Sequence, residues 1–410
     1  MLSWLLALTL AQAAPTLPPQ ELIRPQGVRP LPRQLDAVPV FNSNSPELIQ
    51  TPGILLSTFP SDPEQALPVH LNFPFQGRFD LFAHHVAKAL SAEDLRTLYL
   101  GIIVHNPGPQ PVILDILQAA SYLSVPDAPF IELPPWVENS QGEVYSGPGS
   151  RAMDTVLRGQ RQDIFPAQLI VPPRQHRMLL NLPIPVSALE PPLNGRSTLM
   201  RLRSHGQIYV ASLAQYAPVT PEGDERPPTL AEWQMLLATG ALAGPRDRSP
   251  TPIEATTEGV IYGRVAGVAQ GSEWRAILSD HAETSELSIP LPGQAFSYGL
   301  STLHVGRLGT GQIQSAPLLV RYPDTAYQAH GNYGVQYSLT LPLFNPTDQV
   351  QTVTVALQTP IKEDQLATAG LRFFAPPPAQ VFFRGTVRIR YTDDQDTPKT
   401  RYVHLVQKRG

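Results

Sequence analysis

Between Arg321 and Tyr333 the chain reads RYPDTAYQAHGNY, its densest run of polar and aromatic side chains. Tyr322, Asp324, Tyr327, His330, Asn332 and Tyr333 all fall within twelve residues. Tyrosine faces stack on sugar rings, and carboxylate and amide groups fix hydroxyls by hydrogen bonds. Gly331 and Gly334 let the backbone turn sharply and approach a ligand. The loop is the expected ligand site, with a flat polar molecule such as a sugar as occupant. The competing reading is a turn pinned by its own side chains. Exposure separates the two, because a ring covered on both faces cannot stack on a sugar.

A second stretch with chemical potential is 124–162. Pro126, Pro129, Pro134, Pro135 and Pro148 stiffen it, and Trp136 stands among Glu132, Glu138, Glu143 and Asp154. Trp136 is therefore a further candidate for sugar contact. A glycosidase would need two carboxyl groups facing across a cleft, roughly 5 Å or 6.5–9.5 Å apart. Nothing in the spacing fixes such a pair, and a Trp136 that plugs the core edge is the competing reading. His84-His85 invites a metal, but adjacent residues on a strand point to opposite faces. Gly306–Gly311 lacks the Lys-Ser/Thr of a P-loop, and no G-x-S-x-G elbow occurs. With no cysteine, thiolate zinc sites, Fe–S clusters and disulfides are excluded. No catalytic residue, metal or cofactor is expected. Arg384, Arg388 and Arg390 share one face by parity, either to meet an acidic polymer or simply to face water.

These candidates need a scaffold, and the composition says which kind. The chain has 410 residues, 46 of them proline. That proline share, about twice the usual ~5%, favours short strands and rigid loops over long helices. A net charge of -4 provides no basic footprint for nucleic acid. No apolar run reaches the roughly 20 residues of a membrane span.

Period-two apolar spacing marks many short strands. Two stretches match closely. Leu98, Leu100, Ile102 and Val104 lead to Asn106-Pro107, then Leu114 and Ile116; Tyr337, Leu339, Leu341 and Leu343 lead to Asn345-Pro346, then Val353 and Val355. Both read as hairpins about an Asn-Pro turn. Glu258 to Ser279 reads as another hairpin about Gln270-Gly271. The expected fold is all-β: two β-sandwich-like (Ig-like) domains joined by a short helix. Residues 1–13 read as a signal peptide and 14–75 as a proline-rich segment. The first domain takes 76–220, helix and linker 221–252, and the second domain 253–410. The connecting helix is marked by a Thr229/Glu232 capping box ahead of Leu230, Trp233, Leu236 and Leu237, with Gly240 ending it, and it is expected to dock between the domains. Ser150 is expected to cap a shorter helix carrying Met153 and Val156.

GPGSRAMDTVLRG at 147–159, NGRSTLMRL at 194–202, RYPDTAYQAHGNYGV at 321–335 and VFFRGTVRIRY at 381–391 together resemble a cyanobacterial family of exported proteins of unknown function. The resemblance covers most of the chain after its proline-rich start. It implies a periplasmic or extracellular setting and brings no catalytic residues with it. The short apolar run Leu2 to Leu10 before Ala11-Gln12-Ala13 points the same way. The expected function is that of a non-catalytic cell-envelope protein, structural or binding a glycan or other surface polymer. The alternative is a carboxylate-dependent glycoside hydrolase. Polysaccharide or another envelope polymer is the expected partner.

Overall fold

The computed structural model describes residues 20–61, 69–255, 259–366 and 370–408, apart from the Asn332 side chain. The expected signal peptide lies outside the described residues. Strands dominate, and two short α-helices occur among the described residues. The all-β class is what the chain adopts.

Its organising element is one 24-residue strand, Leu193–Tyr216. The first half pairs antiparallel with Phe75–Lys88 on one side and Val112–Leu123 on the other. After a register break between Ser204 and Ile208, the second half pairs with Leu98–His105 and Gly53–Ser57. One strand thus serves both layers, the bend-and-switch device that builds the corner of a sandwich. Gly206 sits at that corner, where a Cβ would come 2.7 Å from Val112 Cγ2. Phe79, Leu81, Leu100, Leu114, Met200 and Val210 fill the space between the layers, all essentially inaccessible.

The two helices close the outer faces. α1 (Pro148–Leu157) lays Ala152 and Val156 on Phe82, Ala120 and Leu199. Its N-cap is Gly147 at φ 84, with no side-chain cap and Pro148 at the first turn. Ser150 is inside the helix, so the expected serine cap is not used. α2 (Leu230–Thr239) has the Thr229/Glu232 capping box as read, and Gly240 ends it. It does not sit between two domains. Trp233 and Leu237 pack on Ile54, Ile103 and Leu213 of the first half, and the indole lies over Gly101, where any Cβ would clash at 2.6 Å.

The strand ladder continues past 221–252. Ala266–Gln270 pairs antiparallel with Pro39–Ser43, and that strand runs parallel to Phe75–Lys88. The expected hairpins rearrange. Leu98–His105 and Val112–Leu123 are both strands, but each joins a different half of the long strand, so Asn106-Pro107 is an arch between layers. Ala266–Gln270 and Glu273–Ile277 do not pair with each other; the second lies parallel to Gln336–Thr340. Beyond Asn345, residues 351–363 form no strand. Alternation predicts that a segment is extended but not which segment it bonds to.

At the C-terminus, Val381–Thr392, Pro398–Lys408 and Trp136–Glu138 form a separate three-stranded sheet. No helix of the described residues is long and apolar enough to cross a membrane.

Candidate functional site

The Arg321–Tyr333 loop does not present its side chains as one surface. Tyr322 is fully buried; its hydroxyl accepts from Ser57 N–H at 3.0 Å and donates to the Val69 carbonyl at 2.8 Å. Burial drives that phenol far above its ordinary pKa. Asp324 is tied to Arg246 by two bonds of 2.7 and 2.8 Å, which hold its carboxyl below the usual range. The Arg321 guanidinium covers one face of Tyr327 at 3.8 Å, and the ring lines a cavity of about 40 Å³ with Tyr262 and His304. His330 is half-buried against the Gly263 carbonyl at 2.7 Å, and burial lowers its pKa. The side chain of Asn332 lies outside the described residues. Tyr333 is the exception, 57% exposed with one face stacked on Phe82, centroids 6.1 Å apart. Of the rings named from this loop, Tyr333 is the most exposed; Tyr322 is buried, and Asp324 is held by Arg246.

The C-terminal sheet reverses a second expectation. Arg384 and Arg388 do share a face, but it is the inner one. Arg388 donates to the Leu157 carbonyl at 3.0 Å, Arg384 donates to Ser146 Oγ at 3.2 Å, and on the same face His404 meets Ser150 Oγ at 3.0 Å. The Leu157 carbonyl, in the last turn of α1, lacks an intrahelical partner and takes the Arg388 donor, while hydroxyls at the start of the helix take the other two contacts. The outer face therefore carries Trp136, Phe383, Ile389, Tyr391 and Leu405. Cross-strand pairing aligns Trp136 with Leu405 and Leu405 with Gly385, and Phe383 lies over Gly385. Trp136 is 54% exposed, so it does not plug the core edge, and Phe383 and Tyr391 are exposed too. Glu138 and Arg401 form an ion pair of 2.8 Å on the same face.

The carboxylates around Trp136 have separate surroundings. Asp154 is buried and bonded to Arg158 at 2.8 Å, Glu138 is held by Arg401, and Glu132 and Glu143 are exposed.

Sequence reasoning missed one constellation. His84 and His85 do point to opposite faces. His85 is buried between Ser43 Oγ at 2.9 Å and the Pro46 carbonyl at 2.8 Å, and burial pushes its imidazole down to about 4. His84 instead has Nδ1 2.8 Å from Ser197 Oγ and Nε2 3.4 Å from Glu47 Oε1. Glu47 also pairs with Arg264; the His84 hydrogen bond, with help from that arginine, holds its carboxyl below the usual range. Positions 47, 84 and 197 are far apart in sequence, and no local motif surrounds them. Only the pairing of Ser197 with His84 across two strands brings them together. Among the described residues no cluster of three metal-ligating side chains occurs.

The chain belongs to the DUF3370 family, proteins of unknown function, whose sequence model matches residues 26–410. No curated protein matches the chain, and no solved structure matches it either.

Proposed function

We propose that the protein is an exported cell-envelope protein whose task is to bind a glycan or another surface polymer on the outer face of its C-terminal sheet. The observation that carries this reading is that Trp136, Phe383 and Tyr391 are exposed on one face of that sheet, around a buried Val403. Trp136 and Phe383 stand two strands apart, roughly 10 Å by ordinary strand spacing. Two rings at that spacing suit an extended chain of sugars, whose apolar faces stack on aromatics. Glu138, Arg401 and Gln407 alternate into the same face and supply hydrogen bonds to hydroxyls. Tyr333, from the loop singled out in the sequence, is a separate open ring. Export is supported by the apolar run with its Ala-x-Ala end. The carboxylates near Trp136 lend no support to glycoside hydrolysis, since two are committed to arginines and two are solvated.

The test is retention of the full chain on insoluble polysaccharides and on a glycan array. Trp136→Ala with Phe383→Ala should reduce retention at least tenfold while the melting temperature stays put. Binding unchanged in that folded double variant would refute the reading.

A further inference from the structure

We propose that Ser197, His84 and Glu47 form a second site, a serine nucleophile with its general base and a positioning carboxylate, that hydrolyses short-chain acyl esters of hydroxyl-rich alcohols. This goes beyond polymer binding and does not depend on it.

The argument begins with protons. Glu47 is ionised and flanked by Arg264, so it can only accept; His84 Nε2 must carry the hydrogen between them. A neutral imidazole with its hydrogen on Nε2 has its lone pair on Nδ1. That lone pair faces Ser197 Oγ at 2.8 Å, which therefore donates its hydroxyl hydrogen to His84. Nucleophilic catalysis requires this order of partners: a hydroxyl on a base, and the base oriented by a third group.

The surroundings add two independent features. Ser197 Oγ lies beneath the start of α1, where Gly149 has no side chain; a Cβ built there would stand 3.7 Å from the oxygen. The leading N–H groups of a helix lack intrahelical acceptors and form its positive end, which favours negative charge nearby. On the other side, Asn42 pairs with Phe82 and so shares the face of His84, and Asn44 follows just past the strand end. Asn42 and Asn44 are each more than nine-tenths buried, and their Oδ1 atoms have no hydrogen-bond partner among the described residues. Two orphaned acceptors close to the strand that carries the base favour donors, which alcohol hydroxyls of a substrate provide once local opening uncovers them. Tyr333, stacked on Phe82, stands one pleat from His84, about 7 Å along the strand.

Ser197 itself is only 2% exposed, while the His84 side chain is 22% exposed. Entry is thus along the imidazole, and the acyl group must be small, of acetyl size. Ser197 Oγ attacks the ester carbonyl carbon as its proton passes to His84 Nδ1. The tetrahedral adduct expels the alcohol, which takes that proton. Water then attacks the acyl-serine with His84 again accepting a proton, releasing the carboxylic acid and restoring the hydroxyl. One water is consumed, and no oxidant or metal is needed.

The test treats the full wild-type chain with a small fluorophosphonate and maps the adduct by mass spectrometry, alongside hydrolysis of p-nitrophenyl acetate. An adduct on Ser197, and a fall of about 100-fold or more in turnover for Ser197→Ala, are expected. Glu47→Gln should slow turnover with little change in KM, and Glu47→Asp should restore part of it, because the carboxylate orients the imidazole; a packing role would lower both variants alike. No adduct on Ser197 of folded wild-type protein, or equal turnover in wild type and Ser197→Ala, overturns the proposal. Polysaccharide retention should be unchanged in Ser197→Ala, so failure here is distinct from failure of the binding reading.

Discussion

The two Asn-Pro arches use the same local chemistry and meet opposite fates. In the first, Asn106 Oδ1 accepts from Gly108 N–H at 2.8 Å and Nδ2 donates to the Gln110 carbonyl at 2.6 Å. In the second, Asn345 Oδ1 accepts from Thr347 N–H at 3.1 Å and Nδ2 donates to the Gln349 carbonyl at 2.8 Å. The offsets match residue for residue. Yet Asn106 is fully buried and also donates to the Val171 carbonyl at 3.0 Å, while Asn345 is exposed. After the first arch comes the strand Val112–Leu123, flanked on both sides. After the second, Val353 and Val355 alternate into water without a ladder. Turn chemistry is encoded within five residues, whereas a strand exists only if another segment supplies the facing donors and acceptors.

Equivalent substitutions in the two arches should therefore diverge. The largest gap is expected for Leu114→Asp against Val355→Asp. The first buries an unpaired charge and should abolish folding; the second should shift stability by less than about 0.5 kcal/mol. Thermal melts of both decide it, and comparable losses would mean that the second arch is packed in solution. A smaller gap separates Asn106→Ala, expected to cost about 2–3 kcal/mol through orphaned buried groups, from Asn345→Ala, expected to cost under about 1 kcal/mol. Urea midpoints at constant slope measure both.

The subtlest difference is pH. His105 leads into the first arch and lies against His176, ring centroids 4.4 Å apart and tilted by 30°, whereas Phe344 occupies the matching place in the second. Burial, helped by His105, holds the His176 imidazole down at about 4. The folded state therefore favours the neutral ring. Its contribution is complete above the free value of 6.5 and is lost as pH falls from there towards about 4. The urea midpoint should drop between pH 7 and pH 4.5, and His176→Phe, which keeps the stacking on Phe59, should narrow that drop. No narrowing would assign the acid sensitivity to other groups.

The same contrast explains what could be read from sequence. The all-β class, the α2 capping box and the Asn-Pro turns were legible because each is set by neighbours within a few residues. The opposite orientations of His84 and His85 were legible from strand parity. Pairing was not: Glu273–Ile277 finds a parallel partner at Gln336–Thr340, sixty-three positions on, with no local mark of it. Nor was facing. Parity groups Arg384 with Arg388, but the carbonyl of Leu157 and the hydroxyl of Ser146 decide that this side turns inward. Ser197 illustrates both gaps, since its role depends on a strand that begins at Phe75 and a glutamate at 47.

The strand Pro39–Ser43 has a consequence for biogenesis. Its neighbour Phe75–Lys88 emerges from the ribosome soon after it, but its other neighbour, Ala266–Gln270, follows more than two hundred residues later. Until then one edge of that strand stays open, and the ladder across it cannot close while the chain is still short. Such distant closure is slow by nature. A polypeptide that delays its final lock in this way carries an unpaired strand edge through most of its synthesis, and such an edge invites wrong partners until the right one arrives.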